Sequence, residues 1–402
     1  MAADRPVLIA GGGIGGLALA LALSQTGRRA VVLERRAEFE TEGAGIQLGP
    51  NGVHVLRRLG IADALRARVG EPECIAVREG HSGRLVAQLP LGAWLEARHG
   101  APYWVAHRAD LHAALLGAVT DTGRIELRTG SEVASAAHSD GGVLVTCASG
   151  ETLDGPLLVG ADGLWSAVRR AIAPDAQPIF VGATATRTVI PAPSDGPLAQ
   201  PVVGLWLTPG VHVVHYPVRQ GRDVAVVVIA AEPWQGTDWN MPADAAVLRA
   251  RLAGFHPLLA DGLGQVRDWR KWALIRLSPL LTWSQGRITL LGDAAHPMLP
   301  YLAQGGVMAL EDAVVLADTL ASEADPASAL TKYESQRRWR ATRVQQLSWR
   351  NGRIYHMRPP LAWARDAVLR LVPGARLMAG FDWLYGWRPP SSNPALILSK
   401  GA

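Results

Sequence analysis

Residues 287–312 read RITLLGDAAHPMLPYLAQGGVMALED and concentrate polar chemistry where an apolar strand runs out. Asp293 stands at the end of that strand, His296 and Gln304 follow in a loop broken by Pro297 and Pro300, and Gly305-Gly306 opens a helix-like segment. A carboxylate, a loop and a helix start in succession can hold a charged, ring-shaped ligand, because the amides of a helix N-terminus favour negative charge. A second candidate stretch is VHVVHYPV at 211–218. As a strand it puts His212, Val214 and Tyr216 on one face and turns His215 away. His212 and Tyr216 then lie about 13 Å apart along the backbone, so a proton acceptor and a phenol can bracket a small ring. The histidines show no metal-ligand spacing, and no metal is expected.

These residues need elements to position them, and the first is VLIAGGGIGGLALALALSQTGRRAVVLERR, residues 7–36. An apolar strand meets Gly11-x-Gly13-x-x-Gly16, a helix runs to about Gln25, and a second strand over Ala30–Leu33 ends at Glu34. Gly11 allows the tight turn, Gly13 leaves room for a pyrophosphate, and Gly16 lets the helix pack against the strand. Glu34 can then accept the ribose hydroxyls of a dinucleotide and disfavours a 2′-phosphate. An ordinary strand-to-helix turn does not account for three glycines and an acid at these offsets.

Further along, Arg108 precedes a helix that Asp110 can cap, and strands follow over 128–159. From about Ile179 to Thr282 the chain alternates as β-strands with many turns, which predicts an inserted antiparallel sheet. The chain then returns to the strand Arg287–Leu291 and ends in helices. The expected fold class is α/β: a Rossmann-like domain from 1–178 and 283–356, a β-rich substrate domain over 179–282, and a C-terminal helical segment over 357–402. That last segment, with Trp383, Tyr385 and Trp387, can cover the site, pack in the core or form a dimer face.

At 402 residues and 49% hydrophobic, the chain is globular rather than disordered or fibrous. Two cysteines, Cys74 and Cys147, argue against a disulfide scaffold and fit a reducing, cytoplasmic setting. The net charge of +5 comes from dispersed arginines, which excludes a nucleic-acid module and still favours anionic small partners. No stretch reads as a membrane span. A monomer or homodimer is expected.

Three motifs in fixed order, GGGIGG…LER, GADGLWSAVRR at 160–170 and LGDAAHP at 291–297, resemble those of the single-component, FAD-dependent aromatic hydroxylases (class A flavoprotein monooxygenases). PYLAQGGVMALEDA at 300–313 and HVVHYP at 212–217 most resemble the 3-hydroxybenzoate 6-hydroxylase, salicylate hydroxylase and 6-hydroxynicotinate 3-monooxygenase branch. The resemblance implies FAD as cofactor, NADH or NADPH as transient co-substrate, and hydroxylation of a small aromatic acid or phenol by O₂ through a flavin hydroperoxide.

It also implies roles. Gly11, Gly13, Gly16 and Glu34 would hold the ADP half of FAD, with Arg35 near the adenosine and Arg108 near the pyrophosphate or ribityl chain. Asp293 would bond the ribityl and phosphate region, Gly305 and Gly306 would face the pyrimidine edge, and Asp162 would serve both FAD and the nicotinamide donor. His212 is the leading base, with His215 second. Tyr216 and Gln304 are the further substrate contacts, and Gln47 and His296 are weaker ones. Arg187 and Arg219 could meet a substrate anion, although surface placement is expected of both. Two other readings remain at this stage: a tailoring hydroxylase or epoxidase of a larger ring, which Val307 in place of the branch's common Cys leaves open, and a nucleotide-binding module without redox activity.

Overall fold

The structure is a computed structural model that describes residues 5–39, 45–234, 236 and 238–390; the last part of the 357–402 segment lies outside them. The predicted strand Val7–Ala10, helix Ile14–Gln25 and strand Ala30–Leu33 all form. Both strands are buried throughout, and the helix is apolar on every side, because it is wedged between the sheet and the Gly305–Ser322 helix. Val7–Ala10 is central in a six-stranded sheet. It pairs in parallel with Ala30–Leu33 on one side and Leu158–Gly160 on the other, and the latter pairs in parallel with Ile288–Leu290. Strands from both ends of the chain thus share one sheet, and the loops after them, at Gly11, Asp162 and Asp293, meet at the same edge.

A second sheet has eight strands. Its centre is the antiparallel set Ile179–Pro191, Asp223–Ala231, Val211–Val218 and Val203–Thr208. It does not stop at the 179–282 stretch: Val203–Thr208 pairs in parallel with Cys74–Glu79, which pairs with Leu85–Pro90, so a hairpin from the first half of the chain completes it. Directly paired residues share a face. His212, Val214 and Tyr216 therefore lie with Ile229, Val227 and Ala225, and these with Ala185, Arg187 and Val189. The opposite face carries Trp206, Val213 and Val226, covered by helices Ala245–Leu252 and Pro257–Gly264.

Helices Gly305–Ser322 and Pro326–Tyr355 close the molecule. The C-terminal segment packs onto the core: Tyr385 is buried beside Tyr103, and Trp383 stacks under Arg343 at 3.7 Å. Among the described residues no helix is long and apolar enough to cross a membrane.

Candidate active site

The first loop is built as its spacing predicts. Gly11 has φ +104°, a region L side chains avoid, and a Cβ on Gly16 would sit 1.9 Å from the Gly11 carbonyl oxygen. A Cβ on Gly13 meets no protein atom within 4 Å, so the helix start faces open space. Glu34 accepts the Gly12 amide at 2.8 Å and the Arg36 amide at 3.0 Å, one on each oxygen. It braces the loop and keeps a lone pair on each oxygen for a ligand hydroxyl. Arg35 is exposed just beyond it.

Asp162 follows the Leu158–Gly160 strand. One of its oxygens accepts the Ala167 and Val168 amides at 2.8 and 3.2 Å; the other is buried without a partner, and burial pushes the carboxyl up. Arg169, missed in the sequence, ties this loop to the next by donating to the Ala294 carbonyl at 3.0 Å. Arg108 is the first residue of the Arg108–Thr120 helix, whose cap is the His107 ring rather than Asp110; Asp110 instead pairs loosely with Arg68 and Arg219. Arg108 and Asp293 are both solvent-exposed, yet burial among surrounding atoms dominates their titration, lowering the arginine and raising the acid. Side chains that are exposed and surrounded at once line a deep cleft. Each draws the other towards its charged form.

The loop after Asp293 hangs on a buried ionic network. His296 Nε2 lies 2.5 Å from Asp312, which also receives Arg337 at 2.7 Å and is held at about 2 despite its burial, by His296 and then by Arg337. His296 is thereby a brace for the loop. Arg337 and Arg340 both donate to Glu311, Glu311 accepts from Asn51 Nδ2 at 2.8 Å, and Asn51 Nδ2 also donates to Gln304 Oε1 at 3.0 Å. Because a carboxylate bound to arginines can only accept, each amide downstream has its direction fixed, and Gln304 Nε2 is left buried without a partner. Gln304 leads into the Gly305–Ser322 helix, whose first amides have no acceptor within the helix. Val307 is fully buried against Gly52.

On the sheet face across from these loops, His212 is buried, with Nδ1 2.7 Å from His356 Nε2 and its ring between Tyr301 and Tyr355. Nothing in the sequence pointed to His356, which lies 144 residues away. Burial, and then His356, pushes His212 well below the ordinary histidine range, so the ring is neutral. Among the described residues no partner is found for its Nε2. Tyr216 packs its ring on Gly45 and is pushed up to about 12 by burial, so it stays protonated. His215 lies on the opposite face over Gly204, pushed down to about 3 by burial and then by Arg78. Gln47 accepts from the Tyr103 hydroxyl at 2.6 Å. Arg219 is on the surface, with Asp223 at 3.2 Å, but Arg187 is not: it shares the inner face with His212 and Tyr216, under Trp272. No group of three or more His, Cys, Asp or Glu among the described residues could hold a metal ion.

Unfilled donors, an orphan carboxylate oxygen and an open glycine turn along one cleft fit a long, doubly anionic cofactor. A family profile described as FAD binding domain matches residues 4–348. The chain belongs to the FAD-dependent aromatic hydroxylases. This flavoprotein monooxygenase is 39% identical over 383 residues to 3-hydroxybenzoate 6-hydroxylase 1 of Aquipseudomonas alcaligenes, covering 94% of this chain and 97% of that one. It is 34% identical over 351 residues to 6-hydroxynicotinate 3-monooxygenase of Bordetella bronchiseptica, covering 86% and 91%. Its fold is similar to that of Klebsiella pneumoniae HpxO complexed with FAD and uric acid, with TM-score 0.83, 27% identity and 96% and 97% coverage. The hydroxylase uses FAD, and the reading as a nucleotide-binding module without redox activity is set aside.

Proposed function

We propose that this hydroxylase acts on a small aromatic acid or phenol that already carries a ring hydroxyl, using NADH or NADPH and O₂. The observation that carries the reading is His212: neutral, walled by aromatic rings and bound through Nδ1 to His356, it keeps Nε2 for a substrate proton. When bound, FAD supplies the redox chemistry, taking reducing equivalents from the nicotinamide and activating O₂ for transfer to an electron-rich ring. The protein's part is to make the ring electron-rich. His212 Nε2 accepts the hydrogen bond of the phenolic hydroxyl and draws its proton away from the ring oxygen, while the bond from Nδ1 to His356 fixes the orientation of the imidazole. Tyr216, protonated, and Gln304 Nε2 are donors for the ring's oxygens. The apolar face formed by Leu205, Val214, Val227 and Ile229 keeps water out, which protects activated oxygen from loss. The names of the similar proteins support small hydroxylated aromatic acids over larger rings. Arg108 is assigned to the pyrophosphate or ribityl chain, Asp293 to the ribityl and phosphate region, the Gly305-Gly306 amides to the pyrimidine edge of the flavin, and Asp162 to both FAD and the nicotinamide donor. The free thiols of Cys74 and Cys147 suit a reducing, cytoplasmic setting.

The test is NADH and NADPH oxidation by the FAD-loaded protein against hydroxybenzoates, hydroxynicotinates and polycyclic phenols, with product analysis. One small acid should stimulate oxidation and leave hydroxylated, and His212→Asn should lower that turnover about 100- to 10,000-fold with FAD retained. Stimulation by polycyclic phenols alone would overturn the small-substrate reading.

A further inference from the structure

We infer that the exposed face of the Leu361–Leu371 helix is a docking surface for an anionic lipid bilayer. The helix is apolar on its outer side and polar on its inner one. Its exposed positions are Leu361, Trp363, Ala364, Ala367, Val368 and Leu371, with Arg370 at one margin. At about 100° per residue the six apolar positions cover one unbroken arc of about 160°. Trp363 is 67% exposed and Leu371 82%, whereas Asp366, on the opposite side, is 4% exposed. The polar side is spent inside the protein: Arg365 pairs with Asp366 at 2.8 Å and donates to the Ile354 and Tyr355 carbonyls at 3.1 and 3.0 Å. That attachment ties the helix to the wall of the substrate pocket, since the Tyr355 ring packs edge-on against His212. A scattered exposed leucine needs no explanation, but a continuous apolar arc on a helix that turns its one acid inward marks a contact site.

The charge around the arc selects what covers it. The arginines, dispersed over the chain as a whole, are concentrated here: residues 350–376 hold six arginines and one acid, the buried Asp366. Arg350, Arg353, Arg358, Arg370 and Arg376 are all exposed, and none of the five meets a carboxylate among the described residues. Two copies of the chain pairing through this helix would set arginine rim against arginine rim, with no exposed acid in the segment to answer it. A bilayer with anionic headgroups answers both halves of the surface: Leu361, Trp363 and Leu371 enter the boundary between headgroups and acyl chains while the arginines reach the phosphates. At 11 residues, about 16 Å, the helix is too short to span a bilayer and lies in its plane. A convex ridge of this kind suits a fluid surface, which closes around it, better than a protein partner, which must offer a groove of matching shape.

The experiment is co-flotation of the FAD-loaded full chain with vesicles of phosphatidylcholine alone and of phosphatidylcholine with about one third phosphatidylglycerol, at low and high salt, beside sedimentation velocity without lipid. The protein should bind the anionic vesicles at least about tenfold better than the neutral ones, and high salt should narrow that difference. Trp363→Glu and Leu371→Glu should each cut anionic-vesicle binding about tenfold or more, with FAD content and thermal unfolding as in wild type, because both side chains are exposed. Arg358→Gln and Arg376→Gln should each weaken it about fivefold. Trp363→Phe keeps the apolar crest and should bind as wild type does. Equal binding to neutral and anionic vesicles, no binding to either, or binding that survives Trp363→Glu and Leu371→Glu together overturns the assignment. A dimer that Leu371→Glu dissolves, in a protein that ignores both vesicles, would assign the face to a second copy instead. These readouts stand whether or not a small acid is hydroxylated, so this inference and the proposed reaction fail separately.

Discussion

The direction of the Gln304 amide is decided by charges that lie beyond it in a buried chain. Arg337 and Arg340 keep Glu311 an acceptor, Glu311 keeps Asn51 a donor, and Asn51 turns the Gln304 amide nitrogen away. Asn51→Leu removes the one link in this chain that touches Gln304, while Glu311 keeps both arginines. FAD should remain bound, stability should fall by about 1–3 kcal/mol, and hydroxylated product per NADH should fall about 10- to 100-fold as Gln304 loses its set orientation. Unchanged coupling in Asn51→Leu would remove Gln304 from the reaction. Asn51 and Glu311 stand 260 residues apart, so their partnership left no local trace in the sequence. Charge misled at Arg187: an isolated arginine in an alternating strand suggests a solvated face, and here that face looks inward.

At the scale of elements, the first strand, helix and second strand were legible in type, order and place, because their constraints are local: apolar runs, a turn that needs φ > 0, and a close approach. Two substitutions separate these constraints. Gly16→Ala drives a methyl into the Gly11 carbonyl and should cost both stability, about 1–3 kcal/mol, and FAD affinity, at least about tenfold. Gly13→Ala meets only open space and should fold normally yet lose FAD. Thermal unfolding of the two FAD-free proteins, followed by FAD titration, distinguishes them; a Gly13→Ala protein that binds FAD normally would exclude the loop from the pyrophosphate. The alternation of residues 211–218 likewise gave the right split of His212 from His215, since period two is a local property. It could not give the helix end that supplies His356.

Among the described residues, His212 and His215 are buried and His356 is half-buried, and desolvation holds all three rings neutral: His215 is pushed to about 3, His356 to about 4, and His212 well below its ordinary value. The unfolded chain takes up protons on these rings below about pH 6.5 and the folded one does not. Stability is therefore full above that pH and falls as pH drops towards 4, by about 1.4 kcal/mol per unit for each histidine. Asp312, held at about 2, stays ionised over this window and adds no slope. His215→Leu should flatten the curve by one histidine's share in denaturant unfolding between pH 4.5 and 6.5; identical slopes would refute the burial-driven shift. The hairpin formed by Cys74–Glu79 and Leu85–Pro90 carries a different consequence. It lies outside the 179–282 stretch, yet it is the neighbour that Val203–Thr208 needs. Exchanging substrate preference between such hydroxylases by recombination therefore requires two inherited segments rather than one: a graft of 179–282 without its own 74–90 would bring a sheet edge with no partner.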